Sequence, residues 1–184
     1  LSLFSTILYF FTTLAIFTAC KGDDEIPDPG NYQTPLPEAT QIGKGTFACY
    51  VDGSAYIAKA NEITSYYQYT NGSHVFGVAG TKELKPLWNI SVGSTADELV
   101  ENTIYTLKNR ENGNQWGGVY FVYNWDDSYE EYTDNITYKG EFTITKLDLE
   151  KQIISGTFWF DVKDPKTGET RKVRDGRFDV VANF

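Results

Sequence analysis

The chain has 184 residues, a net charge of −9 and a hydrophobic content of 41%. This length fits one domain, and the apolar content is high enough for a packed core rather than a disordered chain. The negative charge repels phosphate backbones and no stripe of Lys or Arg offsets it, so nucleic-acid binding is not expected.

The first 19 residues are apolar, with a few Ser and Thr and no charged side chain. A segment of this length fits either a signal-peptide core or a marginal membrane span, since a span needs about 20 residues. Small residues, Thr18 and Ala19, stand directly before Cys20, as an extended signal-peptidase site requires. We therefore expect residues 1–19 to be a cleaved signal peptide, with an uncleaved anchor as the alternative.

The sequence Phe17-Thr18-Ala19-Cys20 resembles a bacterial lipobox, whose cysteine receives a diacylglyceryl thioether before cleavage. The resemblance implies that Cys20 is lipidated and that a membrane is a partner of the protein through this lipid. One acyl chain binds a membrane reversibly, whereas two or more anchor it stably, at about 0.8 kcal/mol per buried CH₂. We therefore expect a lipoprotein of the cell envelope.

Residues 20–40 are expected to form a tether between the lipid and the folded domain. Residues 21–40 hold four of the six prolines and few large apolar residues, a composition that favours an extended chain. At about 3.1 Å per residue, it reaches roughly 60 Å from the membrane. The acidic triplet Asp23-Asp24-Glu25 resembles the signal that exports Bacteroidota lipoproteins to the outer face, although an ordinary solvated linker has the same composition. The resemblance implies an outer-membrane protein exposed at the cell surface.

Residues 41–184 are expected to form a single β domain. Short runs of alternating apolar and polar residues are separated by turn dipeptides. Asn71-Gly72 is the strongest hairpin signal, because both residue types tolerate positive φ. Strands are predicted over 47–51, 63–70, 73–81, 87–92, 104–107, 119–123, 141–147, 153–162 and 172–180.

About ten short strands at this spacing predict an all-β fold, either an antiparallel sandwich or a barrel. Periodicity does not distinguish the two architectures. Within the strand at 153–162, Phe158, Phe160 and Val162 are predicted to share one face, opposite Trp159. A helical turn is expected only at 96–102.

Several sequence blocks resemble a family of Bacteroidota lipoproteins known only as a domain of unknown function. The blocks are LPEATQIGKGTFACYVDG at 36–53, ITKLD at 144–148, ISGTFWF at 154–160 and DGRFDV at 175–180. The resemblance covers both ends of the domain and implies an envelope location and a β fold. It assigns no catalytic residue.

The chain has few residues that could support histidine- or cysteine-dependent catalysis. His74 is the sole histidine, and no Ser or Cys is recognisably paired with it. If Cys20 is acylated, Cys49 stands alone and is expected to be a small buried hydrophobic residue. The signatures G-x-S-x-G and S-x-x-K are absent. We therefore expect no cofactor and no enzymatic activity, with an unrecognised hydrolase as the alternative.

Residues 43–48 (GKGTFA) match the letters of the nucleotide-binding pattern G-x-G-x-x-A. That pattern binds pyrophosphate only where it connects a strand to a helix, whose N-terminus receives the ligand. Here it opens a predicted strand, so nucleotide binding is not expected.

Residues 124–135 (NWDDSYEEYTDN) combine acidic and aromatic side chains. Asp126, Asp127 and Glu130 are weak candidates for a calcium site, since carboxylate oxygens are preferred calcium ligands. These residues do not have the spacing of an EF-hand, and an acidic hairpin tip would have the same residue pattern. A glycosidase pair would need a defined separation of two carboxylates, which sequence does not supply. No metal site is predicted.

Trp125, Tyr129 and Tyr132 are the candidate ligand-binding residues. Exposed Trp and Tyr rings stack on sugars and anchor protein partners, and the surrounding acids should keep this loop in water. Packing of these rings in the core is the alternative. The predicted function is a lipid-anchored, non-enzymatic envelope module that binds an unknown ligand or has a structural role. The alternative is a glycan-binding accessory lipoprotein that uses these aromatic residues.

Overall fold

A computed structural model describes residues 34–82, 87–95, 98–107, 115–123, 129–132, 139–163 and 170–184. For residues 87–88, 115–123 and 129–132 it describes the strands and their pairing but not the side chains. These parts of the chain form two antiparallel sheets packed as a sandwich, which confirms the predicted all-β fold and identifies which of the two architectures is present.

The described residues contain eleven strands and one short 3₁₀ helix at Ala60–Glu62. In chain order the strands are β1 (Thr46–Val51), β2 (Ser54–Ala58), β3 (Ile63–Thr70), β4 (Ser73–Lys82), β5 (Leu87–Thr95), β6 (Thr103–Thr106), β7 (Gln115–Tyr123), β8 (Tyr129–Tyr132), β9 (Gly140–Asp148), β10 (Ile153–Lys163) and β11 (Thr170–Val181). The six-stranded sheet has the order β2-β1-β11-β10-β9-β6. The five-stranded sheet has the order β3-β4-β5-β7-β8.

Two tight turns set the hairpins at the start of the domain. Asn71 and Gly72 have φ of 52° and 82° and join β3 to β4, which confirms the predicted hairpin. Asp52 and Gly53 have φ of 48° and 81° and join β1 to β2 in the same way. Positive φ at both central residues matches the right-handed twist of the flanking strands. The second hairpin explains β2, which was not predicted.

The predicted helical turn at 96–102 is wrong over Glu98–Asn102, and residues 96–97 lie outside the described part. Two backbone amides in this segment donate to tyrosine hydroxyls rather than to helix carbonyls. Leu99 N donates to Tyr67 Oη at 3.1 Å, and Val100 N donates to Tyr105 Oη at 2.8 Å. Hydrogen bonds to tyrosine side chains therefore replace the backbone pattern of a helix.

Aromatic rings from both sheets meet in the core. Phe76 of the five-stranded sheet lies with its ring centroid 5.9 Å from those of Phe142 and Phe178 of the six-stranded sheet. Cys49 is fully buried in this core, as predicted, and burial raises the pKa of its thiol. The thiol is therefore protonated at neutral pH, and it acts as a small packing residue rather than as a nucleophile.

The alternation predicted for the strand at 153–162 is confirmed in β10. Phe158, Phe160 and Val162 are buried in the core, whereas Trp159 is partly exposed on the opposite face. Successive side chains of a strand point to opposite faces, so this pattern separates an inner from an outer face of the six-stranded sheet.

Gly156 lies in β10 where the neighbouring strands leave no room for a side chain. A Cβ there would overlap the backbone carbonyl oxygen of Thr143 and approach within 2.5 Å of the Phe178 ring.

We expect Gly156→Ala to lower the free energy of unfolding by about 1–3 kcal/mol, as overpacking of cores generally does. Urea denaturation measures this. The control is Thr157→Ala at the exposed neighbouring position, expected within about 0.5 kcal/mol of wild type. Equal midpoints for wild type and Gly156→Ala would contradict the packing described.

Candidate functional site

Four of the predicted site residues lie outside the described part of the chain: Cys20, Trp125, Asp126 and Asp127. The other three, Tyr129, Glu130 and Tyr132, belong to β8, the edge strand of the five-stranded sheet. Positions 129 and 132 are three residues apart, so they fall on opposite faces of the sheet. A flat platform on one face can therefore include only one of these two positions.

His74 lies in β4, directly after the Asn71-Gly72 turn, and is half-buried. Its ring centroid lies 5.6 Å from that of Tyr67 and 4.9 Å from that of Tyr69. The imidazole thus packs between two tyrosines of the neighbouring strand. Within the described residues, no group of three or more His, Cys, Asp or Glu side chains is arranged to hold a metal ion.

The most strongly hydrogen-bonded polar group in the described part of the chain is the carboxylate of Asp179. Asp179 lies in β11 with only 1% of its surface exposed. Its register partners are Thr46 of β1 and Ser155 of β10, and all three belong to the outer face of the six-stranded sheet. Five donors bind this carboxylate: the amides of Ile42 (3.1 Å), Gly43 (2.8 Å) and Lys44 (3.0 Å), and the hydroxyls of Thr40 (2.5 Å) and Ser155 (2.8 Å).

The loop before β1 has the geometry of an anion-binding nest. Gly43 and Gly45 have φ of 72° and 73°, a left-handed conformation that lets successive N–H groups point towards one anion. The segment that matched G-x-G-x-x-A by letters opens a strand, as predicted, and it binds an anion. That anion is the chain's own Asp179 carboxylate. We call Asp179 with its five donors the Asp179 clasp.

The charge of Asp179 is stabilised by its donors. Burial alone would raise the pKa of this carboxyl, but the hydroxyls of Thr40 and Ser155 and the amides of Lys44 and Gly43 outweigh it. The pKa of Asp179 is therefore held below its ordinary value, because hydrogen bonds to the charged form favour ionisation. A buried, ionised and fully bonded carboxylate is a structural group rather than a proton donor in catalysis.

The Asp179 clasp fixes one end of a longer segment, Thr34–Lys44, which we call the strap. Tyr50 Oη donates to the carbonyl of Thr34 at 3.0 Å, and Arg177 Nη1 donates to the carbonyl of Pro37 at 3.0 Å. Tyr50 and Arg177 both lie on the outer face of the six-stranded sheet, so the strap runs across that face. It includes residues 34–40, which were predicted as part of the tether.

Sequence reasoning missed both Asp179 and the strap. The signal for Asp179 was a single acid between the buried residues Phe178 and Val180, in an alternating strand that would normally turn it towards water. Its partner Thr40 is 139 residues away in the chain. Local patterns carry no information about a contact at that separation.

An ion pair occupies the same outer face beyond the strap. Arg174 Nη1 lies 2.6 Å from Asp161 Oδ1, and the guanidinium lies 5.5 Å from the Trp159 ring centroid. The Arg174 side chain is only 15% exposed. Arg171 forms a second pair with Asp52 at 3.0 Å. These arginines thus have partners within the chain.

Comparison of the chain with protein-family models, with curated proteins and with solved structures finds no match in any of the three. The resemblance to a Bacteroidota lipoprotein family therefore stays a prediction. Within the described residues, no helix has the length and apolar character needed to cross a membrane.

Proposed function

We propose that this protein is a lipid-anchored, non-enzymatic module of the cell envelope that binds a ligand or has a structural role. The observation that carries the proposal is the order of segments along the chain. An apolar run ends in Phe17-Thr18-Ala19-Cys20, a polar Pro-rich segment follows, and a β-sandwich completes the chain. This order suits a domain held at a membrane surface by an acylated Cys20.

The described side chains support a non-enzymatic role. The thiol of Cys49 is buried and its pKa is raised, so it is not a nucleophile. The carboxylate of Asp179 is saturated by the strap, and His74 packs between tyrosines. Each of these reactive groups has a role in packing or in hydrogen bonding within the fold.

The strap also limits how far the domain extends from the proposed anchor. Because Thr34 is bonded to Tyr50, only residues 21–33 of the predicted tether remain for the proposed spacer. At about 3.1 Å per residue for an extended Pro-rich chain, a spacer of this length would span roughly 40 Å. We infer that the domain is held close to the membrane, at about two thirds of the distance that a spacer of 21–40 would allow.

We expect Cys20→Ala to abolish lipidation, because the thioether forms on that sulfur. Metabolic labelling with an alkyne fatty acid, followed by coupling to a fluorophore, measures the lipid on the full chain. Cys49→Ala is the matched control and should keep full label, since the thiol that it removes is buried. Equal label in wild type and Cys20→Ala, or loss of label in Cys49→Ala, would contradict the proposal.

A further inference from the structure

In strands β3, β4 and β5, the outer face of the five-stranded sheet carries no charged residue. Phe76 and Val78 of β4 are buried in the core, so the alternate residues of this strand and their register partners belong to the outer face. The outer positions of these three strands are Thr64, Tyr66, Gln68 and Thr70 in β3, Ser73, Val75, Gly77, Ala79 and Thr81 in β4, and Asn89, Ser91, Gly93 and Thr95 in β5. The first charged position further along the same face is Glu131 of β8, which pairs with Phe121, the register partner of Asn89.

An aromatic ring lies flat on this face. Tyr66 is half-buried and pairs with Gly77 across the sheet. A Cβ at Gly77 would lie 2.5 Å from both Cζ and Oη of Tyr66, so the ring covers the bare backbone of the glycine. Gly93, the next residue of the same row, is buried, so the accessible aromatic surface here is that of Tyr66. The exposed side of an aromatic ring is a surface on which a sugar ring can stack.

Neutral hydrogen-bonding groups surround the ring. Gln68 and Thr64 are exposed on the same strand as Tyr66. Asn89 Nδ2 donates to Thr81 Oγ1 at 2.6 Å, which fixes the orientation of a half-exposed amide. An amide offers two N–H donors and a carbonyl acceptor, so Asn89 has further capacity for a ligand. These groups can bind hydroxyls without a charge.

Two other surfaces among the described residues are occupied by the chain itself. The strap crosses the outer face of the six-stranded sheet. At the β3 edge of the five-stranded sheet, Tyr67 N donates to Asn183 O at 2.8 Å and Asn183 N donates to Ser65 O at 3.2 Å. The C-terminal residues thus occupy hydrogen-bonding groups that an extended peptide would use to add a strand. This favours a ligand that binds the face of the sheet rather than its β3 edge.

We propose that the outer face of the five-stranded sheet binds a neutral polysaccharide, with a sugar ring stacked on Tyr66 and hydroxyls bonded to Gln68 and Asn89. The proposal rests on the binding role proposed above, and it names the class of ligand. A net charge of −9 disfavours anionic polymers, whereas the uncharged outer positions of β3, β4 and β5 suit an uncharged chain of hydroxyl-bearing rings. Tyr66 and Asn89 lie four residues apart along the sheet, about 13 Å at 3.3 Å per residue, so the ligand spans several sugar units.

Affinity electrophoresis of the full chain in mild detergent tests this proposal. The gels contain dextran, starch, xylan, mannan or laminarin as neutral polymers, and alginate as an anionic one. We expect retardation by at least one neutral polymer and none by alginate. Tyr66→Ala should weaken retardation by at least tenfold in polymer concentration. Tyr69→Ala is the matched control, because this exposed tyrosine lies on the same strand but on the opposite face.

Gln68→Glu is a second variant that keeps the packing intact and places a charge on the face. We expect it to weaken retardation while its melting temperature stays that of wild type. Retardation by alginate alone, or by none of the polymers, would overturn the proposal. Retardation that persists in both face variants and disappears in Trp125→Ala would also overturn it, because binding would then depend on residues 124–135. Lipid labelling at Cys20 is measured independently, so a negative result in electrophoresis would leave the proposed lipid anchor unaffected.

Discussion

Asp179→Asn is expected to lower the free energy of unfolding by about 3 kcal/mol or more. The carboxylate accepts five hydrogen bonds in a buried site, and each buried donor that loses its acceptor costs about 1–3 kcal/mol. Asparagine has the same shape but only one acceptor oxygen. Whichever way its amide is oriented, the NH₂ group must face at least one strap amide, Gly43 N on one side or Lys44 N on the other.

The effect of Asp179→Asn is also expected to depend on pH. The pKa of Asp179 in the folded protein lies below its ordinary value, since its donors favour the charged form. Its contribution to stability is therefore complete above about pH 4, the ordinary pKa of Asp, and is lost as pH falls through the lower pKa of the folded state. We expect the stability difference between wild type and variant to be constant near neutrality and to shrink below about pH 4.

Urea denaturation at a series of pH values measures both effects. The matched control is Asp175→Asn, which makes the same substitution four positions earlier in β11, at an exposed residue with φ of 51° that Asn tolerates. It should stay within about 0.5 kcal/mol of wild type. A difference for Asp179→Asn that is small at pH 7, or that grows on acidification, would contradict the described site.

Removal of the strap is expected to have the second large effect. A protein that begins at residue 41 lacks the bonds of Thr34, Pro37 and Thr40 to the sandwich, whereas one that begins at residue 34 keeps them. One neutral bond at about 1 kcal/mol and two bonds to charged groups at about 1.5–3 kcal/mol each give a loss of about 4–7 kcal/mol. At roughly 2–4 °C per kcal/mol for a domain of this size, the melting temperature should fall by at least about 8 °C.

Circular dichroism melts of the 34–184 and 41–184 proteins make this comparison directly. Both are expected to give β-type spectra, and the shorter protein should melt at the lower temperature. Thr40→Ala in the 34–184 protein should account for part of the loss, while Glu38→Ala, at an exposed strap residue, should have little effect. Equal melting temperatures for the two proteins would support residue 41 as the start of the domain and would contradict a stabilising strap.

The parts of the fold that follow local rules were predictable from the sequence. The bounds of β3 match the prediction because alternation ends at Asn71-Gly72, a dipeptide that by itself specifies a tight hairpin. The burial of Phe158 and Phe160 on one face of β10 likewise follows from a two-residue period. In these segments, the residues that decide the structure lie next to one another in the chain.

The parts that depend on distant contacts were not predictable. Pro37 belongs to a segment with no periodicity, and its bond to Arg177 joins residues 140 positions apart. Asp179 lies at an outward-facing strand position that would be exposed to solvent without the strap. The neutral face around Tyr66 becomes visible only when the strand order brings β3, β4 and β5 together. The binding of a ligand by Trp125, Tyr129 and Tyr132 stays a prediction.

Hydrogen exchange tests most directly whether the strap belongs to the folded domain and covers one face of the sandwich. The amides of Ile42, Gly43 and Lys44 donate to a buried carboxylate, so they should exchange slowly, with protection close to that of the core strands. In Asp179→Asn these amides should lose protection while β10 keeps its own. Fast exchange at all three positions in the wild-type protein would contradict the strap.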